Sequence, residues 1–155
     1  MRVLGVQCSV NFAFLSVVEN GVVIESGPPR LALAQSTDED RALWDTLGTF
    51  GDALDEIRPD RVALLLPGTG EYAKQTHGAW APRIELETLL RMAAAKRDLP
   101  VERIARATVL ARFGLSPKEK GRFEDRVRPL VPRQGRYWAD GRLGASAAAL
   151  VEEGR

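Results

Sequence analysis

Apolar positions along the first 26 residues alternate and cluster as strands do. In "RVLGVQCSV" (2–10), Val3, Gly5, Val6 and Cys8 predict a largely buried strand, and "FAFLSVV" (12–18) predicts a second. Glu19-Asn20-Gly21 separates that run from "VVIES" (22–26) and predicts a hairpin turn, because an Asn-Gly pair tolerates positive φ. Gly27-Pro28-Pro29 ends the third strand, since proline cannot donate to a ladder. The period then changes. Leu43, Leu47, Phe50, Leu54 and Ile57 recur at steps of three and four, which predicts a helix over 36–57 with Ser36 and Glu39 as a capping box and Arg58-Pro59-Asp60 as its stop.

"RVALLLPG" (61–68) is almost continuously apolar, the pattern of a strand covered on both faces in a parallel sheet. A glycine-containing loop over 68–82 leads to Pro82, which at a first helical turn opens a second helix over 83–98. Leu99-Pro100 ends that helix, "VERIA" (101–105) is a short fifth strand, and "ATVLARF" (107–113) a short helix. Ser116 as cap and Pro117 at the first position predict a further helix over 116–130, and "LGASAAALVEE" (143–153) is a small-residue helix suited to lie close against a sheet. The chain shows no internal repeat and no low-complexity tract. The pattern is that of an α/β protein.

At 155 residues and 45% hydrophobic content the chain is expected to form one domain, 1–155, with a sizeable core. Its apolar runs are too short to span a bilayer and its start lacks the features of a signal peptide, so a cytoplasmic protein without membrane partners is expected. One cysteine, Cys8, excludes an internal disulfide, and with a single histidine no Cys/His zinc spacing exists.

The net charge of +1 conceals a split. Residues 1–95 carry eight basic and thirteen acidic side chains, a balance of −5, whereas 96–142 carry thirteen basic and six acidic, a balance of +7. Lys118, Lys120, Arg122, Arg126 and Arg128, with Arg112, Arg133, Arg136 and Arg142, could neutralise several phosphates and give salt-dependent binding with little base readout. Tyr137 and Trp138 follow as a stacking surface for unpaired bases, the alternative being that both are packing residues. Gly68, Gly70 and Lys74 do not have the spacing of a phosphate loop, which argues against nucleotide hydrolysis. His77 is a general base only if a carboxylate such as Glu71 orients it.

The order of three antiparallel strands, helix, strand, helix, strand and closing helices resembles the ribonuclease H-like fold, with a five-stranded mixed sheet flanked by helices. Within it the chain resembles the RuvC-type resolvases. "GVQCSVNFAFLSVVENG" (5–21) is similar to the family's first two strands and "RVALLLPG" to its fourth. "LPVERIARATVLARFGLSPKEKGRF" (99–123) is similar to its short strand, small helix and Gly-x-x-x-Lys stretch, and "LGASAAALVEE" to its last helix. The resemblance implies carboxylates from the first strand, the end of the fourth strand and the last helix converging on two magnesium ions, which clamp the attacking water and the leaving oxygen of a phosphodiester.

This chain departs from that pattern at every position. The first-strand acid falls on Gln7, the fourth-strand acid near Leu66 or Pro67, and the last-helix acids around Gly141 and Gly144. Glu71 and Asp140 are the substitutes nearby, and Ser9 and Asn11 occupy the turn that faces the cleft in the resembled fold. The resemblance therefore implies a catalytically degenerate protein that binds DNA, RNA or a protein partner, as a homodimer by analogy and without a cofactor. Two alternatives stand beside it: a divergent magnesium-dependent nuclease using Glu71, Asp140 or His77, and a structural assembly subunit.

Overall fold

The computed structural model describes residues 1–68, 76–132 and 135–154. Strand β1 (Arg2–Cys8) pairs antiparallel with β2 (Phe12–Glu19), from Arg2 opposite Glu19 to Cys8 opposite Ala13. Ser9 closes the intervening turn: its N–H donates to the Phe12 carbonyl at 2.7 Å and its hydroxyl accepts from the Phe12 N–H at 3.2 Å. Asn20 and Gly21 take positive φ (55° and 74°) as the Asn-Gly pair requires, and β3 (Val22–Ile24) returns along β2.

A short strand that the sequence pattern hides follows Gly27-Pro28-Pro29. β4 (Arg30–Ala32) pairs with the opposite end of β2, so β3 and β4 form one edge interrupted where the prolines cannot donate. The sheet thus has six strands rather than five. Its order is β3-β2-β1-β5-β6, with β4 beside β2; β5 (Arg61–Leu65) and β6 (Val101–Ile104) run parallel to β1.

Helices α1 (Glu39–Ile57) and α2 (His77–Ala95) cover one face, where Phe50, Leu54, Ile57, Leu86 and Leu90 pack on Leu4, Val6, Leu15 and Leu64. Asp38, not Ser36, caps α1, with its carboxylate accepting from the Arg41 N–H at 3.0 Å; the Ser36 hydroxyl instead accepts from the Asp38 N–H. Helix α2 begins at His77, six residues before the expected start, and Pro82 sits inside it, near enough to the N-terminus for its missing N–H to leave most of the ladder intact.

The other face carries α3 (Arg106–Arg112), α4 (Phe123–Val127) and α5 (Leu143–Glu153). The helix expected over 116–130 is reduced to α4, preceded by turns and broken by Gly121 at φ 130°, and followed by a single 3-10 turn at Arg128–Leu130. Small residues let α5 lie directly on β1. A Cβ built on Gly5 would stand 1.9 Å from the Ala145 carbonyl oxygen, so the backbones meet where no side chain fits. At its far end α5 is pinned twice. The buried Glu152 pairs with Arg61 at 3.1 Å, and the Glu153 carboxylate accepts from the Asn20 and Gly21 N–H groups at 2.6 Å each. Among the described residues, no helix is long and apolar enough to cross a membrane.

Candidate functional site

Sheet register aligns one row of side chains on the α5 face. Leu65 of β5 lies opposite Gln7 of β1, Gln7 opposite Phe14 of β2, and Phe14 opposite Arg30 of β4. Residues paired across a ladder share a face, so this row runs across the sheet beneath the start of α5. Gly144 stands over Gln7 and Leu65 of this row and Gly141 over Phe14, while Leu66 and Pro67 follow Leu65 in the chain.

These are packing contacts. Gln7 is buried, and its Oε1 has no hydrogen-bond partner among the described residues. A Cβ at Gly144 would fall 1.9 Å from that oxygen and 2.8 Å from Leu65 Cδ2, so the Gln7 amide fills the space that glycine leaves. Gly141 is held in the same way: a Cβ there would lie 2.3 Å from the Phe14 ring. Leu66 and Pro67 follow β5, half-buried, with the Leu66 N–H donating to the Ile104 carbonyl at 2.9 Å. An amide, two apolar side chains and two glycines are poor ligands for the hard cations that the resembled enzymes hold, and the volume a carboxylate at 144 would need is filled. The residues present do not fit a two-magnesium centre.

The substitutes named from the sequence are Glu71, Asp140 and His77. Glu71, with Gly70 and Lys74, lies outside the described residues. Asp140 is exposed in the irregular turn (Trp138–Arg142) ahead of α5. His77 is exposed at the first position of α2, its ring edge-on to Trp80 with centroids 4.8 Å apart. Among the described residues, no three His, Cys, Asp or Glu side chains gather so as to hold a metal ion. Ser9 serves its own turn, and Asn11 is exposed with its carbonyl accepting from the Leu33 N–H at 3.3 Å.

The basic candidates divide. Arg112, Lys118, Lys120, Arg122 and Arg136 are exposed and make no ion pair among the described residues. Arg126 is tied down: it pairs with Glu119 at 3.0 Å and donates to the Ser116 carbonyl at 2.7 Å, stapling the turn between them. Arg128 pairs with Asp125, and Arg133 is outside the described residues. Arg142 corrects the sequence expectation. It is 2% exposed, and donates to the Leu15 carbonyl at 2.8 Å, to Glu25 at 3.1 Å and to the Arg136 carbonyl at 3.1 Å, so it anchors α5 to β2 and offers no charge to solvent. Trp138 is likewise buried in the core, which leaves Tyr137 as the aromatic at the surface.

Tyr137 belongs to a group the sequence did not suggest. The Arg30 guanidinium lies 4.0 Å from the ring centroids of both Phe12 and Tyr137. Phe12 sits two residues from Phe14 on the same strand face, and only the β2–β4 register brings Arg30 beside it.

A second polar cluster lies on the opposite face. Glu87, 8% exposed, pairs with the buried Arg83 at 3.5 Å. It borders a cavity of about 440 Å³ lined also by Trp80, Ile84, Arg91 and Arg103. Burial pushes the Glu87 carboxyl above its usual value of 4.5, while Arg83, Arg103 and Arg91 pull it down. Burial also raises the Cys8 thiol far above its usual range, with Glu87 adding to the shift, so Cys8 is no ready nucleophile.

No protein-family model matches the chain, and no curated protein matches it in sequence. Solved structures do match. Thermus thermophilus RuvC aligns with a TM-score of 0.70 at 17% identity, over 99% of this chain and 93% of that one. T. thermophilus RuvC in complex with a Holliday junction substrate gives 0.69 at 17% identity, over 99% and 92%. The yeast mitochondrial Holliday junction resolvase Ydc2 gives 0.59 at 12% identity, over 98% and 76%. Identities this low speak for architecture, and together with the strand order and the position of α5 they establish that the chain has the RuvC-like form of the ribonuclease H-like fold.

Proposed function

We propose that this chain is a catalytically degenerate RuvC-like protein of the cytoplasm that binds nucleic acid without cutting it. The observation that carries this reading is the Gln7–Gly144 contact: the place where metal-binding acids meet in the resembled enzymes is closed by an amide seated against a glycine. The exposed Arg112, Lys118, Lys120, Arg122 and Arg136 supply a sequence-independent attraction for phosphates. One of the matching RuvC structures holds a Holliday junction substrate, which makes branched DNA the first ligand to try. Binding to a four-way junction, a duplex and a single strand is measured across a salt series, with magnesium and with a chelator, and the same samples are run on a denaturing gel. Salt-sensitive binding without strand scission is expected. Magnesium-dependent cleavage would overturn the reading and return attention to Glu71, Asp140 and His77.

A separate observation favours self-assembly. Trp44, Ile84 and Met92 are 64%, 41% and 47% exposed and border an apolar groove of about 370 Å³ between α1 and α2. Large apolar side chains grouped in this way are what a pairing surface presents, and a second copy of this chain is the partner proposed. Sedimentation at micromolar concentration is expected to show a dimer that Trp44→Glu splits; a monomer in the unmodified protein overturns the proposal.

A further inference from the structure

We infer that Arg30, clamped between Phe12 and Tyr137, is a preorganised phosphate-binding arginine that grips the backbone of a bound nucleic acid. The inference rests on the nucleic-acid reading above and adds a site to it, on a residue outside the basic C-terminal segment.

A guanidinium is a flat fork with five N–H donors in its plane. Two rings hold that of Arg30, since the centroids of Phe12 and Tyr137 each lie 4.0 Å from its central carbon. Contact with two aromatic rings restricts the movement of the fork and leaves its N–H donors as the reactive part. Among the described residues, nothing answers those donors: the Arg30 side chain makes no hydrogen bond and no ion pair, although the residue is partly buried. Arg126 and Arg142 direct their donors to protein carbonyls and carboxylates, whereas Arg30 keeps its donors open.

The clamp is also built at some conformational cost. Tyr137 adopts the left-handed φ of 58°, which disfavours any residue bearing a Cβ, and in that conformation its ring lies over Arg30. Strained backbone persists where the surroundings hold a side chain for a purpose, ligand clamps among them. Phe14, 6.4 Å from Tyr137 between centroids, backs the same ring. An arginine whose movement is restricted before binding has less freedom to lose when it engages a planar or tetrahedral oxyanion, and the fork matches two phosphate oxygens at once. Its place is set by register. Arg30 is two strands from Gln7 along the row Leu65–Gln7–Phe14–Arg30, roughly 10 Å at the usual strand spacing, so a nucleic-acid strand crossing the closed centre passes within reach of it.

The test compares the unmodified protein with Arg30→Lys, Arg30→Ala and Tyr137→Leu. Fluorescence anisotropy is read with a labelled junction and a labelled single strand at several salt concentrations, and circular dichroism confirms folding of each variant. Arg30→Ala is expected to lower affinity about tenfold and to flatten the slope of log K against log salt by about 0.7 on a single strand and 0.9 on a duplex, the value of one phosphate contact. Arg30→Lys keeps the charge and hence the slope, but loses several-fold in affinity with the fork. Tyr137→Leu, which frees the guanidinium, weakens binding without changing the slope. A folded Arg30→Ala that binds as tightly as the unmodified protein overturns the inference. If the unmodified protein binds no nucleic acid, the functional reading fails on its own, and the clamp is judged by the Arg30 Nε–Hε resonance during titration with dimethyl phosphate. Movement of that signal upholds a phosphate site; its absence overturns one.

Discussion

The closed centre yields a quantitative prediction through a double-mutant cycle on Gln7 and Gly144. Gly144→Ala alone adds a methyl 1.9 Å from Gln7 Oε1 and 2.8 Å from Leu65 Cδ2. The Leu65 end can rotate by a few tenths of an ångström, but Gln7 is buried against the same wall and has to leave its rotamer. Overpacking of this kind costs about 1–3 kcal/mol. Alanine recovers some of that through helix propensity, at most about 1 kcal/mol and less in the first turn of α5, where Gly144 stands. The net expectation is a loss of about 1–2 kcal/mol. Gln7→Ala has two opposing effects: it removes the packing of the side chain, yet it also removes a buried oxygen that lacks a partner, which alone costs about 1–3 kcal/mol. In the double variant the methyl added at position 144 enters the space the amide vacates. The two changes are therefore expected to couple favourably by about 1–3 kcal/mol. Urea unfolding of the four proteins, followed by circular dichroism with matched m-values, measures this directly. Additivity within about 0.5 kcal/mol would refute the claim that Gln7 occupies the space beside Gly144.

Three further predictions follow from other contacts. Arg142→Ala leaves the Leu15 carbonyl without its donor while Glu25 stays half solvated, so a loss of about 2–3 kcal/mol is expected in urea unfolding. Gly5→Ala drives a methyl into the Ala145 carbonyl, a backbone atom that cannot swing aside, and about 3 kcal/mol or more should be lost; an unchanged midpoint would mean that α5 does not seat on β1. The raised Glu87 carboxyl binds its proton more tightly folded than unfolded. Its contribution is full below about pH 4.5 and is lost as pH rises through the raised value, whereas Asp55, lowered chiefly by its hydrogen bond to Arg97, stabilises above 3.8 and loses that effect as pH falls through its lowered value. Glu87→Gln is expected to flatten the upper part of the stability–pH curve and to leave the lower part, which the Asp55–Arg97 pair governs, unchanged.

The central strands, the long helix and the alanine-rich last helix were legible in the sequence because each rests on a local signal: short apolar runs buried on both faces, a 3.6-residue period, and a run of small residues. β4 was not, since three residues behind Gly27-Pro28-Pro29 carry no period, and it exists only because β2 has an open edge there. Pro82 misled through a sound rule: proline favours a first turn, but the helix already begins at His77 and Pro82 sits inside it. At the site, the resemblance pointed to Gln7, Gly141 and Gly144, but the fit of Gln7 against Gly144 depends on the height of α5 above β1, which no local pattern encodes. Arg142 was counted with the basic residues around it; the carbonyl that it donates to belongs to Leu15, far away in the chain. Arg30 was passed over for the same reason. Its meaning lies in two rings, one of them more than a hundred residues downstream.

The seat of α5 on the first hairpin also dictates an order of events during synthesis. Asn20 and Glu153 are 133 residues apart. At a ribosomal rate of about 5–20 residues per second, the hairpin emerges roughly 7–27 s before the helix that closes over Gly5 and bonds its turn. Through that interval β1 and β2, joined later by β5, present one uncovered apolar face, with Val3, Val18, Ala63 and Leu65 open to any other strand or chaperone nearby. The fold thus closes late: the face that α5 covers is completed only when residues 143–153 are available to seat on it.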